Sequence, residues 1–306
     1  MSPAQPQTAQ VPLCSIIVPT HGRPDQLGEC LGALSRLDYP KDRLEVIVVD
    51  DGGGVPLAPV LDRFRRALDL KLLEQEQAGP ADARNAGVER ARGEVLAFTD
   101  DDCQPARDWL SRLVARLAMR PDYAAGGHTI NVLQDNPYAR TSQLIIDAGY
   151  AHNNRDPDKA RFFTTNNLVV PASGFRMLGG FKAGWVTSED REFCDRWIAR
   201  GFTLAYEPAA IVYHAHRLTF RSFCRQHFAY GRGAHRFHHA HARRSKRNVR
   251  IEPSFQLALL LYPFRHLRGS DAVRLAGLLQ IWNLVNTAGF IWEWVSKRLG
   301  RPHALG

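Results

Sequence analysis

Three carboxylates stand in a row at Asp100-Asp101-Asp102, directly after the apolar run Val95–Phe98. Adjacent acids repel one another and lose hydration when buried, so such a cluster at a strand end persists where something positive sits on it. Hard divalent cations prefer oxygen ligands and commonly take one or two carboxylates together with substrate phosphates. The chemistry indicated is a metal–diphosphate site, against the plainer reading of an acidic turn that caps the next helix. A second acid pair, Glu189-Asp190, opens a stretch with Phe193, Trp197 and Ile198 on one helical face. Thr187 with Asp190 three residues on fits an N-cap, and first-turn acids complement the helix dipole, so capping competes with catalysis here. A third acidic group, Asp50-Asp51, follows Leu44–Val49.

These groups need a scaffold. Residues 13–19 form a continuous apolar run closed by Pro19, the mark of a strand buried on both faces. Turn chemistry follows at Thr20-His21-Gly22-Arg23-Pro24, and Leu27, Cys30, Leu31, Leu34 and Leu37 then predict a helix over 25–37. Leu44–Val49 reads as a second strand, Val60 to Leu68 as a second helix, and Leu70–Leu73 as a third strand. Gly79 to Gly87 opens a third helix whose small residues permit close approach, and Val95–Phe98 is the next strand. The alternation predicts an α/β fold built on a doubly wound, mostly parallel sheet. Ligands bind such sheets beyond the carboxyl ends of the strands. Thr20, Asp50/Asp51 and Asp100 to Asp102 all fall at such ends, so the fold gathers them at one edge. Farther on, the pattern predicts a helix at Trp109–Leu117, a strand at Tyr123–Val132 and another at Phe162–Pro171. Between the last two, 135–160 reads as an irregular covering loop with a helix at 140–149. A final strand, Ala210–Tyr213, leads into His214.

Taken in order, these residues resemble the family 2 glycosyltransferases of the GT-A fold. The likeness runs from Ser15 to about His214 and rests on six further elements after the first strand and Thr20. They are Val49-Asp50-Asp51-Gly52, Arg84-Asn85-Ala86-Gly87, Asp100-Asp101-Asp102, Asn166-Asn167, Gly179-Gly180-Phe181 and Glu189-Asp190. The resemblance implies a GT-A catalytic domain over 13–213, with a nucleotide-sugar half at about 13–105 and an acceptor half at about 106–213. It implies a nucleotide-diphosphate sugar as donor and a glycan or lipid-linked hydroxyl as acceptor, in cell-envelope glycan or glycolipid synthesis. Asp51 would contact the nucleobase, with Pro19, Thr20 and Arg23 nearby, and Arg84 would lie near the base or diphosphate. Asp100 would face the ribose, with Asp101 in the same turn, and Asp102 would ligate Mg²⁺ or Mn²⁺, with His214 as an added ligand. Asn166 and Asn167 would belong to the acceptor and sugar region. Asp190 would be the base of an inverting transfer, and Glu189 would orient the acceptor.

Composition sets outer limits. The 306 residues suit one large domain with an extension. Five scattered cysteines without a C-x-x-C pair argue for a reducing compartment and against a disulfide scaffold or zinc module. Residues 1–12 are polar, lack a basic segment followed by an apolar core, and read as a disordered tail without a signal peptide. The expected location is cytoplasmic, peripheral on the cytoplasmic membrane face.

The net charge of +9 is concentrated. Pro208–Ile251 carries ten Lys and Arg residues and no acid, which points to an anionic partner. His235, His238 and His239 fall on one helical face, but a zinc site there lacks a recognisable fourth ligand. Beyond Pro253 the chain turns apolar, and 275–295 bears Trp282, Trp292 and Trp294 among Gln280, Asn283, Asn286 and Glu293. A basic segment before Trp-bearing helices predicts that 214–306 is a helical extension lying on an anionic membrane. Packing on the catalytic domain and homodimer contact are the alternatives. Two rival functions share parts of this evidence. A metal-dependent phosphodiesterase or nucleotidyltransferase would use the Asp cluster but leaves Glu189-Asp190 unexplained. An anionic-polymer binder would use the basic run, which has no nucleic-acid-binding pattern, so no nucleic-acid partner is expected.

Overall fold

A computed structural model describes residues 11–118, 122–245, 259, 261–265 and 269–299. Its eight strands are β1 Cys14–Thr20, β2 Leu44–Asp51, β3 Asp69–Gln75, β4 Val95–Phe98, β5 Cys103–Pro105, β6 Tyr123–Asn131, β7 Leu168–Pro171 and β8 Thr203–His214. They form one sheet in the order β3-β2-β1-β4-β7-β6-β8-β5. The first four strands in that order run parallel, as do β6 and β8, while β7 opposes both its neighbours and β5 opposes β8. The helices are α1 Pro24–Leu34, α2 Ala58–Asp62, α3 Pro80–Glu89, α4 Trp109–Ala118, α5 Pro137–Asn153, α6 Ala172–Leu178, α7 Glu189–Ala199, α8 Phe220–Ser245 and α9 Gly269–Arg298.

Every residue of β1 and β2 is buried, because helices cover both faces of the sheet. Ile16, Val18, Val46 and Val48 pack with α1 and α4 on one face. Ile17, Ile47, Val49 and Phe98 pack with α3, α6 and α7 on the other. On that second face Phe98, Phe175, Phe181 and Phe193 form a chain of ring contacts at 5.0–5.5 Å, which fixes α6 and α7 against β4.

Several elements differ from their sequence patterns: the strand expected at Ala210–Tyr213 spans Thr203–His214, and the helix expected from Val60 to Leu68 is Ala58–Asp62. Residues 137–153 form a 17-residue helix where mainly irregular chain was expected. Its start was legible: Asn136 accepts hydrogen bonds from the backbone N–H groups of Tyr138 and Ala139, and Pro137 occupies the first turn. The strand expected at Phe162–Pro171 is shortened to Leu168–Pro171, because Thr165–Asn167 turn as a short 3₁₀ helix.

The C-terminal helices return to the α/β body. Helix α8 packs on α7, and much of its charge is paired internally. Arg232 and Arg236 both bind Glu293 of α9, at 2.9 and 2.6 Å, and Glu293 is 1% exposed. Arg244 and His241 bind Asp195 of α7. The inference of an anionic partner from the basic run is corrected to that extent: three of its arginines have acids within the chain. Lys246, Arg247 and Arg250 lie outside the described residues, as do Met1–Gln10 and half of Phe255–Phe264. A Cβ at Gly231 would strike the Asn286 carbonyl, and one at Gly289 the Phe228 carbonyl, so glycines let α8 and α9 cross in backbone contact. Among the described residues no helix is long and apolar enough to cross a membrane. The histidine run of α8 gathers no three ligand atoms there, and His235 packs instead on Phe290 at 5.0 Å.

Candidate active site

The carboxyl ends of β1, β2 and β4 lie side by side, and the acids after them divide by burial. Asp101 is 0% exposed. It accepts a hydrogen bond from the Thr20 hydroxyl at 2.6 Å and pairs with Arg23 at 2.6 Å. Burial pushes its carboxyl up to about 7, against the opposing charge of Arg23. The middle acid therefore holds the turn and has no surface left for a ligand. Asp100 and Asp102, on either side, keep part of their surface, at 28% and 12%.

Asp102 lies 3.3 Å from Nε2 of His214 and 3.3 Å from Arg23. Burial alone would raise its carboxyl, but the hydrogen bond and charge of His214, then the charge of Arg23, hold it well below the usual range. His214 is raised in turn, with the Asp102 interaction outweighing its burial. His216 stacks on His214 at 4.8 Å and is held down to about 4 by burial and by that neighbour. Ligand atoms of Asp102, Cys103 and His214 lie within 4.8 Å of one another. A carboxylate oxygen and an imidazole nitrogen suit Mn²⁺ or Mg²⁺, provided the donor's phosphates and water complete the shell. Burial keeps the Cys103 thiol protonated, so it is a poor third ligand.

Arg84 joins two parts of the site. Its guanidinium, on a side chain 4% exposed, reaches Asp100 at 2.6 Å and Glu189 at 2.9 Å. The local sequence explains this reach. A Cβ at Gly87 would stand 2.6 Å from the Ile17 side chain, so only glycine lets α3 settle this deeply on β1. Asn85 donates to the Phe181 carbonyl at 2.8 Å and accepts from the Phe181 N–H at 2.9 Å, tying α3 to the Gly179-Gly180 turn. Asp51 has an anchoring role of its own. Its carboxylate accepts from Gln75 and from the backbone N–H groups of Ala78 and Gly79, at 2.7–2.8 Å. That fixes the loop entering α3.

Glu189 and Asp190 open α7. The cap expected from Thr187 is not formed: the Thr187 hydroxyl donates to the Ala229 carbonyl of α8 at 3.0 Å. Ser188 holds the cap position with φ 64°, without a capping hydrogen bond. A left-handed Ser is uncommon and costs energy, and here it immediately precedes the acid pair. Burial and the adjacent Asp190 push Glu189 up to about 7 despite Arg84. Burial raises Asp190 as well, opposed by the Arg191 N–H, which donates to its carboxylate at 2.7 Å. The pair is thus poised to share a proton near neutral pH.

Other residues fall farther back. Pro19 and Thr20 are buried in β1. Asn167 is 0% exposed and its amide is fully engaged. It donates to the carbonyls of His128 and Ala210 and accepts from the Trp109 indole, joining β6, β8 and α4. Asn166 accepts from Thr164 at 2.7 Å and from Thr129 at 3.3 Å. Two residues of α8 reach the site from a segment that gave no such signal. Tyr230 is 41% exposed as a residue, but burial of its hydroxyl, then the charges of Asp190, Glu189 and Asp100, disfavour its ionisation against the Gln226 hydrogen bond, so the phenol lies in the field of the acids. Gln226 donates to the Tyr230 hydroxyl at 2.9 Å and reaches His216. Only the i, i+4 spacing of Gln226 and Tyr230 on one helix face hinted at this pairing.

The chain is similar to several known proteins. A glycosyltransferase of Haloferax volcanii, AglE, is 29% identical over 229 residues, 74% of each chain. The pre-mycofactocin glycosyltransferase of Mycobacterium tuberculosis is 32% identical over 207 residues, 66% of this chain and 44% of that one. Among solved structures, the mannosyltransferase PcManGT from Pyrobaculum calidifontis, in complex with GDP-Man and Mn²⁺, superposes with a TM-score of 0.64 at 21% identity, covering 96% of this chain and 89% of that one. Residues 1–349 of TarS from S. aureus, in complex with UDP-GlcNAc, superpose with a TM-score of 0.54 at 15% identity, covering 95% and 93%. Both likenesses bear on the fold, which is that of GT-A glycosyltransferases. The family model of glycosyl transferase family 2 matches residues 15–183, more than half of the chain. The chain belongs to glycosyl transferase family 2 and is a glycosyltransferase.

Proposed function

We propose that this enzyme moves a sugar from a nucleotide-diphosphate sugar to an acceptor hydroxyl with inversion, dependent on a divalent metal, in the synthesis of an envelope glycan or glycolipid. The observation that carries the reading is Arg84, which ties Asp100 at the donor edge to Glu189 beside Asp190. Donor and acceptor chemistry thereby share one electrostatic unit. Asp190 accepts the proton of the acceptor hydroxyl as that oxygen attacks the anomeric carbon. A carboxylate suits this task because the hydroxyl becomes acidic only in the transition state, and a raised carboxyl is the better base. Glu189, held by Arg84, orients the acceptor. Attack on the face opposite the leaving diphosphate inverts the anomeric centre. Asp102 and His214 would hold Mn²⁺ or Mg²⁺, which when bound supplies charge neutralisation for the leaving diphosphate. Solved neighbours carry GDP-Man with Mn²⁺ or UDP-GlcNAc, which supports a nucleotide-sugar donor.

Turnover of a panel of nucleotide sugars with Mn²⁺ tests the reading, with the product anomer assigned by NMR. Asp190→Asn should lower turnover by about 10²–10⁴-fold, the usual contribution of a general base, while donor still binds. Unchanged turnover would reject Asp190 as the base, and a retained anomer would reject inversion.

The second part of the reading concerns α9, which leaves Leu284, Ile291, Trp292 and Trp294 exposed. An apolar face with two tryptophans suits a membrane interface, and the acceptor would then be lipid-linked. Sedimentation with vesicles containing anionic lipid tests it. Absence from the pellet at low salt, with a dimer in solution, would assign the face to a second copy instead.

A further inference from the structure

Most arginines packed around the site have an acid: Arg84, Arg196, Arg232, Arg236 and Arg244 each pair with a carboxylate at 2.5–2.9 Å. Arg191, the residue after Asp190, is different. Among the described residues no carboxylate lies within ion-pairing distance of its guanidinium. Its side chain instead lies between two aromatic rings, 5.7 Å from Phe162 and 5.0 Å from Phe237 of α8. Burial disfavours its charge, and the field of Asp190 opposes that only in part. The other titratable neighbours are Cys194, which stays protonated, and His238, which burial and then Arg191 itself hold down to about 4. His241 beyond it is engaged by Asp195. A half-buried cation over two π faces, lacking an acid partner, is a strong receptor for an anion, since the guanidinium presents a planar fork of donors. Phe162 also belongs to an aromatic wall with Tyr150 and Tyr206, at 6.0 and 5.9 Å from the Tyr150 ring. Phe162, Tyr206 and Phe237 are each only partly buried.

We infer that Arg191, framed by Phe162 and Phe237, binds a carboxylate or phosphate carried by the acceptor, close to the hydroxyl that Asp190 deprotonates. The inference rests on the acceptor reading of Asp190. Arg191 is a specificity-determining residue: it reads the charge of the acceptor, and the partly open aromatic wall takes its apolar ring faces. Arg84 does not compete for the same anion, because Asp100 and Glu189 already neutralise it.

The test uses two probes that differ only at C6, octyl β-D-glucoside and octyl β-D-glucuronide, titrated calorimetrically into the full chain loaded with UDP and Mn²⁺. Wild type should bind the glucuronide about tenfold or more tighter, the effect of one charge-assisted hydrogen-bonded pair. Arg191→Met keeps the stem between the rings and should remove the preference. Arg191→Lys should keep a reduced part of it, because it retains charge without the planar fork. Melting curves establish that each variant is folded. Equal binding of the two probes by wild type overturns the inference, as does a preference that survives in Arg191→Met. A separate arm compares UDP-glucose with UDP-glucuronate as donors. If Arg191→Met alters only that selectivity, the anchor reads the donor sugar and the acceptor assignment falls. Failure of every nucleotide sugar to be turned over would count against the glycosyl-transfer chemistry proposed above, whereas donor turnover with equal probe binding counts only against Arg191.

Discussion

Arg84 and Glu189 stand 105 residues apart in the chain and 2.9 Å apart in the fold. The same guanidinium holds Asp100 at 2.6 Å. One buried cation thus sets the charge balance of an acid after β4 and an acid at the start of α7.

Removing that cation should be severe. Arg84→Met leaves Asp100 and Glu189 without their partner, and breaking a buried ion pair from one side typically costs about 3–5 kcal/mol. We expect a loss of that order in urea unfolding and a further upward shift of Glu189. Arg84→Lys keeps a charge but cannot bridge two carboxylates with separate N–H groups, so its stability should fall between the two. A lysine variant as stable and active as the wild type would show that bridging is unimportant.

Acidity should leave a signature in both stability and rate. Glu189 is raised from its ordinary value of 4.5 to about 7 in the folded enzyme. Between those values the folded state holds a proton that the unfolded chain has released, so this group lowers stability progressively as pH rises from 4.5 to 7. Glu189→Gln removes that titration. The melting temperature of the variant relative to wild type should therefore increase across that interval. Turnover by the wild type should rise over the upper part of the same interval, as the Glu189–Asp190 pair gives up its shared proton. A rate that is flat from pH 5.5 to 8 would contradict this.

Metal-dependent donor binding should depend on Asp102 and His214. In Asp102→Ala we expect Mn²⁺ to add nothing to the thermal stabilisation produced by donor, because a ligand stabilises only in proportion to its binding of the folded state. His214→Ala should retain part of the effect, since the imidazole is the added ligand. Full Mn²⁺-dependent stabilisation in both variants would remove the pair from the metal site.

Helix α8 should prove to be part of the catalytic centre. A Cβ at Gly233 would run into the Thr187 hydroxyl and stand 2.8 Å from the Thr187 carbonyl. Gly233→Ala must push α8 away from the turn that aims Glu189. Overpacking of this kind costs about 1–3 kcal/mol, and turnover should fall by more than the loss of folded protein explains. Normal activity per folded molecule would mean that the turn tolerates the shift.

Much of the site was readable in one dimension because its signals are local. The runs closed by Thr20, Asp51 and Asp100 to Asp102 announce strands, and a parallel strand brings its terminal residues to the same edge as its neighbours. Arg84, Asn85 and Gly87 could be marked from sequence, but their division of labour could not. One residue reaches the acids, one fastens the Phe181 turn and one admits the helix to the sheet. The basic segment misled for a related reason. Charge counted along the chain shows no acids near Arg232, Arg236 and Arg244, yet Glu293, Asp195 and Glu192 arrive from other helices.

By itself the sequence determined the strand and helix order of residues 13–105 and the identity of the acids there, since periodicity and turn chemistry act over a few residues. Tertiary structure alone decided which acid of Asp100-Asp101-Asp102 is sealed and which two keep exposed surface. It also decided that Thr187 supports α8 instead of capping α7, and that Tyr230 joins the site. Burial, ion pairing and pKa depend on what lies within a few ångströms, and here those neighbours come from segments up to about a hundred residues away.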